Sequence, residues 1–146
     1  MKSFFEDIFE YNHHFNQRLA EHLLTHEKTL PERTVPLFCH VINAHQIWNA
    51  RILNERELGV FKIHNLRRCK SLDEENFKQT LDILATRNLD EVVTYTNSRG
   101  QKHRSLVRDI LFHICNHSTH HKGQIVSDFR QSGIDPLVTD YIFYKR

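Results

Sequence analysis

Apolar residues recur along most of this chain at intervals of three, four and seven. Phe4, Ile8, Phe15, Leu19 and Leu23 form one such stripe, which predicts a helix from Ser3, a candidate N-cap, to about His26. "TLPERTVPL" then breaks the pattern, with Pro31 and Pro36 bounding a connection. Leu37, Val41, Ala44, Ile47, Trp48 and Ile52 give a second helix a broad apolar face from Val35 to about Glu57, with Gly59 just past its end. A third helix is expected from a cap at Ser71, through Phe77, Leu81 and Leu84, toward Leu89. "VVTYT" followed by "NSRG" changes the period, and predicts a short β-hairpin or an extended segment. The last long helix should run from Ser105 to Gln131, with Gly133 as its stop, and the tail after "GIDP" should add a short helix.

Four long amphipathic segments imply an all-α fold, a four-helix bundle in which each stripe is buried against the others. Residues 1–146 suit a single domain, and four glycines with three prolines suit long helices. The net charge of +2 is too small to point to nucleic acid or a membrane as a partner, and the basic run "NLRRCK" is too short to change that. No stretch is apolar enough to span a bilayer, and "MKSFFEDIFE" has acids where a signal peptide needs apolar residues. A cytoplasmic location is expected. Cys39, Cys69 and Cys115 are odd in number and lack CxxC spacing, which fits reduced thiols buried as small apolar groups.

Twelve histidines are the one unusual feature of the composition, and "HICNHSTHHKGQI" holds four of them. On a helical wheel with Ile110 at zero, Leu106 lies near −40°, Ile114 near +40° and Ile125 near +60°, all approximate. His117 falls at about −20° and His121 at about +20°, central on that stripe, whereas His113 and His120 lie some 60–80° to one flank. Gln124, near −40°, also reaches inward. Burying two unpartnered imidazoles would cost about 1–3 kcal/mol for each unsatisfied group. Two histidines four residues apart can instead share one ion, as those of HExxH motifs do. A bundle-core metal site also needs ligands from a facing helix, and "FCHVINAHQIW" offers both His40 and His45. Helical spacing admits either one. In "YNHHFNQRL", Asn12 shares the stripe of Ile8 and Phe15, while His13 and His14 turn outward.

"YNHHFNQRL", "HVINAHQIW" and above all "HICNHSTHHKGQI" resemble the DinB/YfiT-like superfamily of metal-dependent proteins, specifically its DinB branch. The ending "DPLVTDYIFYKR" is similar as well, so the resemblance spans nearly the whole chain. It implies a four-helix bundle with a long crossover and a three-histidine metal site: His40 from the second helix, with His117 and His121 from the last. His45 then becomes an outer residue, and Asn12, His45 and Gln124 are candidates to orient substrate. Three imidazoles leave coordination positions open, as catalytic sites do. Imidazole suits zinc, nickel, iron and copper alike, so ligand type does not select the divalent metal, and zinc or nickel is the working expectation.

Relatives with known activity use the metal to activate a low-molecular-weight thiol, so the resemblance implies a metal-dependent thiol transferase acting on small electrophiles, in detoxification or stress response. Metal-assisted hydrolysis, with His45 or His120 as base, is a rival reading. So is a non-catalytic, metal-stabilised module acting by binding or dimerisation. No separate catalytic group is evident. The resemblance also implies a homodimer, for which Phe5, Phe9 and Tyr11 could supply the interface, although core packing explains these aromatics equally well.

Overall fold

The computed structural model describes residues 1–146. The chain order is α1 (Lys2–His26), α2 (Thr34–Leu53), α3 (Leu66–Thr86), β1 (Val92–Thr96), β2 (Lys102–Leu106), α4 (Val107–Gln131) and α5 (Tyr141–Tyr144). The all-α bundle, the hairpin before its last long helix and the short C-terminal helix match the sequence expectation. β1 and β2 pair antiparallel, with Val92 opposite Leu106 and Thr96 opposite Lys102.

Several helix ends differ from those predicted. α2 stops at Leu53 because Asn54 takes a left-handed conformation, φ 57°, and its backbone N–H bonds to Ala50 O. α3 starts at Leu66 rather than Ser71, capped by the Asn65 side chain, which accepts from Arg68 N at 2.8 Å. The cap lies ahead of an apolar pattern that becomes regular only later in the helix. Ser105 belongs to β2 rather than to α4, because pairing with Val93 holds it in the ladder.

Two apolar clusters make up the core. One joins Phe5 and Phe9 of α1, Ile52 of α2, Ile83 and Leu84 of α3, and Val107, Ile110, Leu111 and Ile114 of α4. The other joins Leu19 and Leu23, Phe38 and Ile42, Leu66, Cys69 and Leu72, and Ile125 and Phe129. α1 and α4 therefore begin in the first cluster and end in the second, whereas α2 and α3 do the reverse. The bundle is up-down-down-up. α1 packs mainly on α3 and α2 on both α3 and α4, while α1 and α4 meet only slightly.

Parallel α2 and α3 cannot be joined by a tight turn, since the chain must travel back along α2, about 30 Å for a helix of this length. Residues 54–65 make that crossover and lie against α2 as they return. Leu58 N donates to Gln46 Oε1, Asn43 Nδ2 to Lys62 O and His64 N to Cys39 Sγ.

Between the two apolar clusters lies a band of buried polar side chains contributed by all four helices: Asn12 and Asn16, His45 and Asn49, Asp73, Asn76 and Thr80, and Ser118 and Lys122. Buried polar groups persist where they find partners. Asp73 accepts from Asn16 Nδ2 at 2.7 Å, from Gln17 Nε2 at 2.8 Å, and meets His13 Nδ1 at 2.6 Å. Asn49 Nδ2 donates to Thr80 Oγ1, and Asn76 Nδ2 to Ile42 O.

The first helical stripe needs one correction. Phe4 is exposed, while Phe5, Phe9 and Tyr11 are buried. These three aromatics face α3, α4 and the C-terminal segment, and so are not free for a partner. Tyr11 donates to Thr139 O and its ring meets those of Tyr141 and Tyr144.

Candidate metal centre

The buried residues of α4 are Val107, Ile110, Leu111, Ile114, Cys115, Ser118, Lys122, Ile125, Val126, Asp128 and Phe129. On the wheel used above they centre at about +80°, near Ser118, rather than on Ile110. His117 and His121 thus sit at the border of the buried face, half-buried, and project into the seam between α4 and α2. That position supports an open site, because groups on the bundle axis would be sealed from any substrate.

His40 comes from the facing side of α2. Its Nε2 lies 3.1 Å from His117 Nε2, and its ring centroid is 4.9 Å from that of His117 and 5.0 Å from that of His121. One nitrogen from each of His40, His117 and His121 lies within 4.8 Å of the other two. Outer partners fix the tautomers of two rings. His40 Nδ1 faces Val60 O at 3.3 Å, and His121 Nδ1 faces Gln124 Oε1 at 2.7 Å. Both oxygens only accept, so each Nδ1 carries the hydrogen and each Nε2 presents a lone pair. A ligating histidine is oriented in the same way by an acceptor on its second nitrogen.

These residues fit a metal ion on the chemistry of the donor set. Two imidazole nitrogens 3.1 Å apart repel unless a proton or a cation lies between them. Tetrahedral zinc with bonds of about 2.05 Å would separate its ligand nitrogens by about 3.3 Å. Burial, together with the neighbouring His121, His40, His113 and His120, pushes the His117 pKa down to about 3. Burial also lowers that of His121. Both rings stay neutral near pH 7, the form that binds metal.

Of the other histidines in the motif, His113 and His120 are exposed. Their rings approach His117 and His121 at 5.6 and 4.9 Å without joining the nitrogen cluster. His45 turns into the bundle axis, where Nε2 lies 2.8 Å from Thr80 Oγ1 and the ring packs on Phe9. Asn12 is buried too, accepting from Lys122 Nζ at 2.7 Å. Gln124 alone of the three expected orienting residues contacts a member of the triad.

Sequence reasoning expected the crossover but named none of its residues at the site. Val60 supplies the carbonyl that orients His40, and exposed Phe61 stacks on the same imidazole with centroids 5.6 Å apart. No periodicity marks such a segment, and only the crossover's return along α2 brings it there.

A cavity of about 430 Å³ lies across α4 from the histidines, with Ile8, Tyr11, Phe112, Cys115, Lys122 and Tyr141 among its lining residues. The converging lone pairs are at the triad, and geometry suited to chemistry outweighs volume. No helix is long and apolar enough to cross a membrane. Comparison with curated proteins gives no match. A family model described as the DinB family matches residues 1–146, and with the histidine triad that could hold a metal ion, the chain belongs to the DinB family.

Proposed function

We propose that this protein is a metal-dependent enzyme that transfers a low-molecular-weight thiol to a small electrophile, with His40, His117 and His121 holding one divalent ion, zinc or nickel. The observation that carries the reading is the convergence of three imidazoles from two facing helices at a solvent-facing seam. When bound, the ion supplies a Lewis acid that favours the thiolate form of the thiol.

The chain's own residues orient and enclose. Val60 O and Gln124 Oε1 hold the hydrogens of His40 and His121 outward, which keeps both Nε2 lone pairs aimed inward. Phe61 gives the rim an apolar face against which the carbon skeleton of an electrophile can rest. With His45 turned toward Thr80, the hydrolytic reading loses one of its two candidate bases.

The proposal includes a homodimer. Phe4, Phe112, Ile142 and Phe143 are the exposed apolar residues near the bundle's N-terminal and C-terminal segments that such a contact would cover.

Elemental analysis of tag-free protein, beside His40→Ala, His117→Ala and His45→Ala variants, tests the site. The expected result is a single ion per chain, lost in the first two variants and kept in the third. Loaded protein should then conjugate a model electrophile only when a thiol is added. No metal after reconstitution with zinc and nickel would overturn the whole reading. Bound metal without thiol-dependent conjugation would leave a metal-stabilised binding module.

A further inference from the structure

Each of three helices contributes a pair of residues one turn apart to a closed cavity in the polar band: Asn12 and Asn16 from α1, Val41 and His45 from α2, and Ile114 and Ser118 from α4. Three buried polar atoms have no hydrogen-bond partner, Asn12 Nδ2, Asn16 Oδ1 and Ser118 Oγ. All three belong to residues lining this one cavity. An unsatisfied buried donor or acceptor costs about 1–3 kcal/mol, so their convergence calls for an occupant.

The orientation of each amide is fixed by a charged neighbour. Asn12 Oδ1 accepts from the Lys122 ammonium at 2.7 Å, and an ammonium can only donate, so Nδ2 must face the other way. Asn16 Nδ2 donates to the Asp73 carboxylate at 2.7 Å, and a carboxylate can only accept, so Oδ1 is the free atom. The cavity therefore presents one N–H donor, one carbonyl acceptor and one hydroxyl able to do either.

That set rejects ions. A cation would face the Asn12 N–H, and an anion would face the Asn16 carbonyl. An occupant must both donate and accept, and the room open to the centre of a water-sized group is about 10 Å³. This is about the space one water needs, and such a water requires two to four polar partners, roughly the number available. Cys115 lies beside Asn12, but a thiol is a weak acceptor and leaves Nδ2 unpartnered.

We propose that the bundle holds one integral water at this point, accepting from Asn12 Nδ2, donating to Asn16 Oδ1 and bonded to Ser118 Oγ. The water completes a bridge from Lys122 through Asn12 and Asn16 to Asp73, linking a buried cation and a buried anion that have no direct contact. It also ties α1 to α4, which pack far less on each other than α1 does on α3 or α2 on α4. Ser118 is the neighbour of His117, so the same bridge steadies the α4 segment that carries the histidine pair.

Water–protein NOE and ROE spectroscopy on the isotope-labelled, metal-free protein reads the side-chain amide of Asn12 directly. The expected signal is a cross-peak to water with the sign of a long-lived complex. It should persist in Ser118→Ala, which leaves two partners, and in Cys115→Ala, which removes only the thiol. It should vanish in Asn16→Leu, which removes the acceptor and fills the space. Ser118→Val, one carbon larger, expels the water by volume and serves if Asn16→Leu does not fold. An Asn12 amide with no long-lived water in the wild type, or one whose signal survives both filling variants, would overturn the proposal.

Discussion

His45 makes the fold acid-sensitive. It is buried against Phe9 and Thr80, and burial, with a smaller push from His13 against the pull of Asp73, moves its pKa from 6.5 down to about 4. In the unfolded chain the same imidazole takes up a proton as the pH falls through about 6.5. Between those two values the unfolded state binds more protons than the folded state, so stability falls as pH falls. His45's contribution is complete above about pH 6.5 and exhausted near pH 4. A gap of about 2.5 pH units, at about 1.4 kcal/mol per unit, corresponds to roughly 3 kcal/mol. This is a large share of the total stability of a domain of this size, about 5–15 kcal/mol.

The perturbation is His45→Gln, which keeps a side-chain donor for Thr80 and removes the titration. Urea unfolding of the metal-free protein, followed by circular dichroism at about pH 7.5 and about pH 4.5, gives the four free energies required. His117 also titrates low, so both proteins lose stability in acid. The diagnostic quantity is the difference between the two losses, expected to be about 2–3 kcal/mol smaller in the variant. Equal losses would refute the reasoning, because they would mean that His45 is protonated alike in both states.

Two further perturbations probe the frame that holds the site. Asp128 is buried and accepts from Arg33 Nη2 at 2.5 Å and Thr34 Oγ1 at 2.8 Å, pinning the start of α2 to the end of α4. Asp128→Asn should cost about 2 kcal/mol and lower the Tm by roughly 5 °C, and an unchanged melting curve would contradict this. At Asn54, with φ 57°, Asn54→Val should cost about 1–2 kcal/mol while Asn54→Gly stays within about 0.5, as measured by denaturant midpoints.

The helices were legible in the sequence because their signals are local. Periodic apolar residues, Pro31 and Gly133 mark segments whatever those segments pack against, and "VVTYT…NSRG" marks the hairpin in the same way. The pairing of His117 with His121 is also local, since four residues on a helix bring two side chains to one face.

Facing is not local. The true centre of the α4 buried face, near Ser118, depends on where α1 and α2 lie, and a wheel anchored on Ile110 cannot know that. Lys122 reads as a surface cation, yet it is buried because Asn12 receives its ammonium from another helix. His40 and His45 were equivalent by spacing, and only the resemblance distinguished them. In the folded chain α2 turns His40 toward α4 and His45 toward α3.

The sequence by itself determined four amphipathic helices, a hairpin and a histidine pair, because each is encoded by residues near one another along the chain. Tertiary structure alone decided the up-down-down-up order, the return of residues 54–65 along α2 that brings Val60 and Phe61 to His40, and the polar band whose partners come from different helices. The physical reason is that burial and long-range hydrogen bonding belong to pairs of elements, and a single element's pattern states only that it has a face to bury.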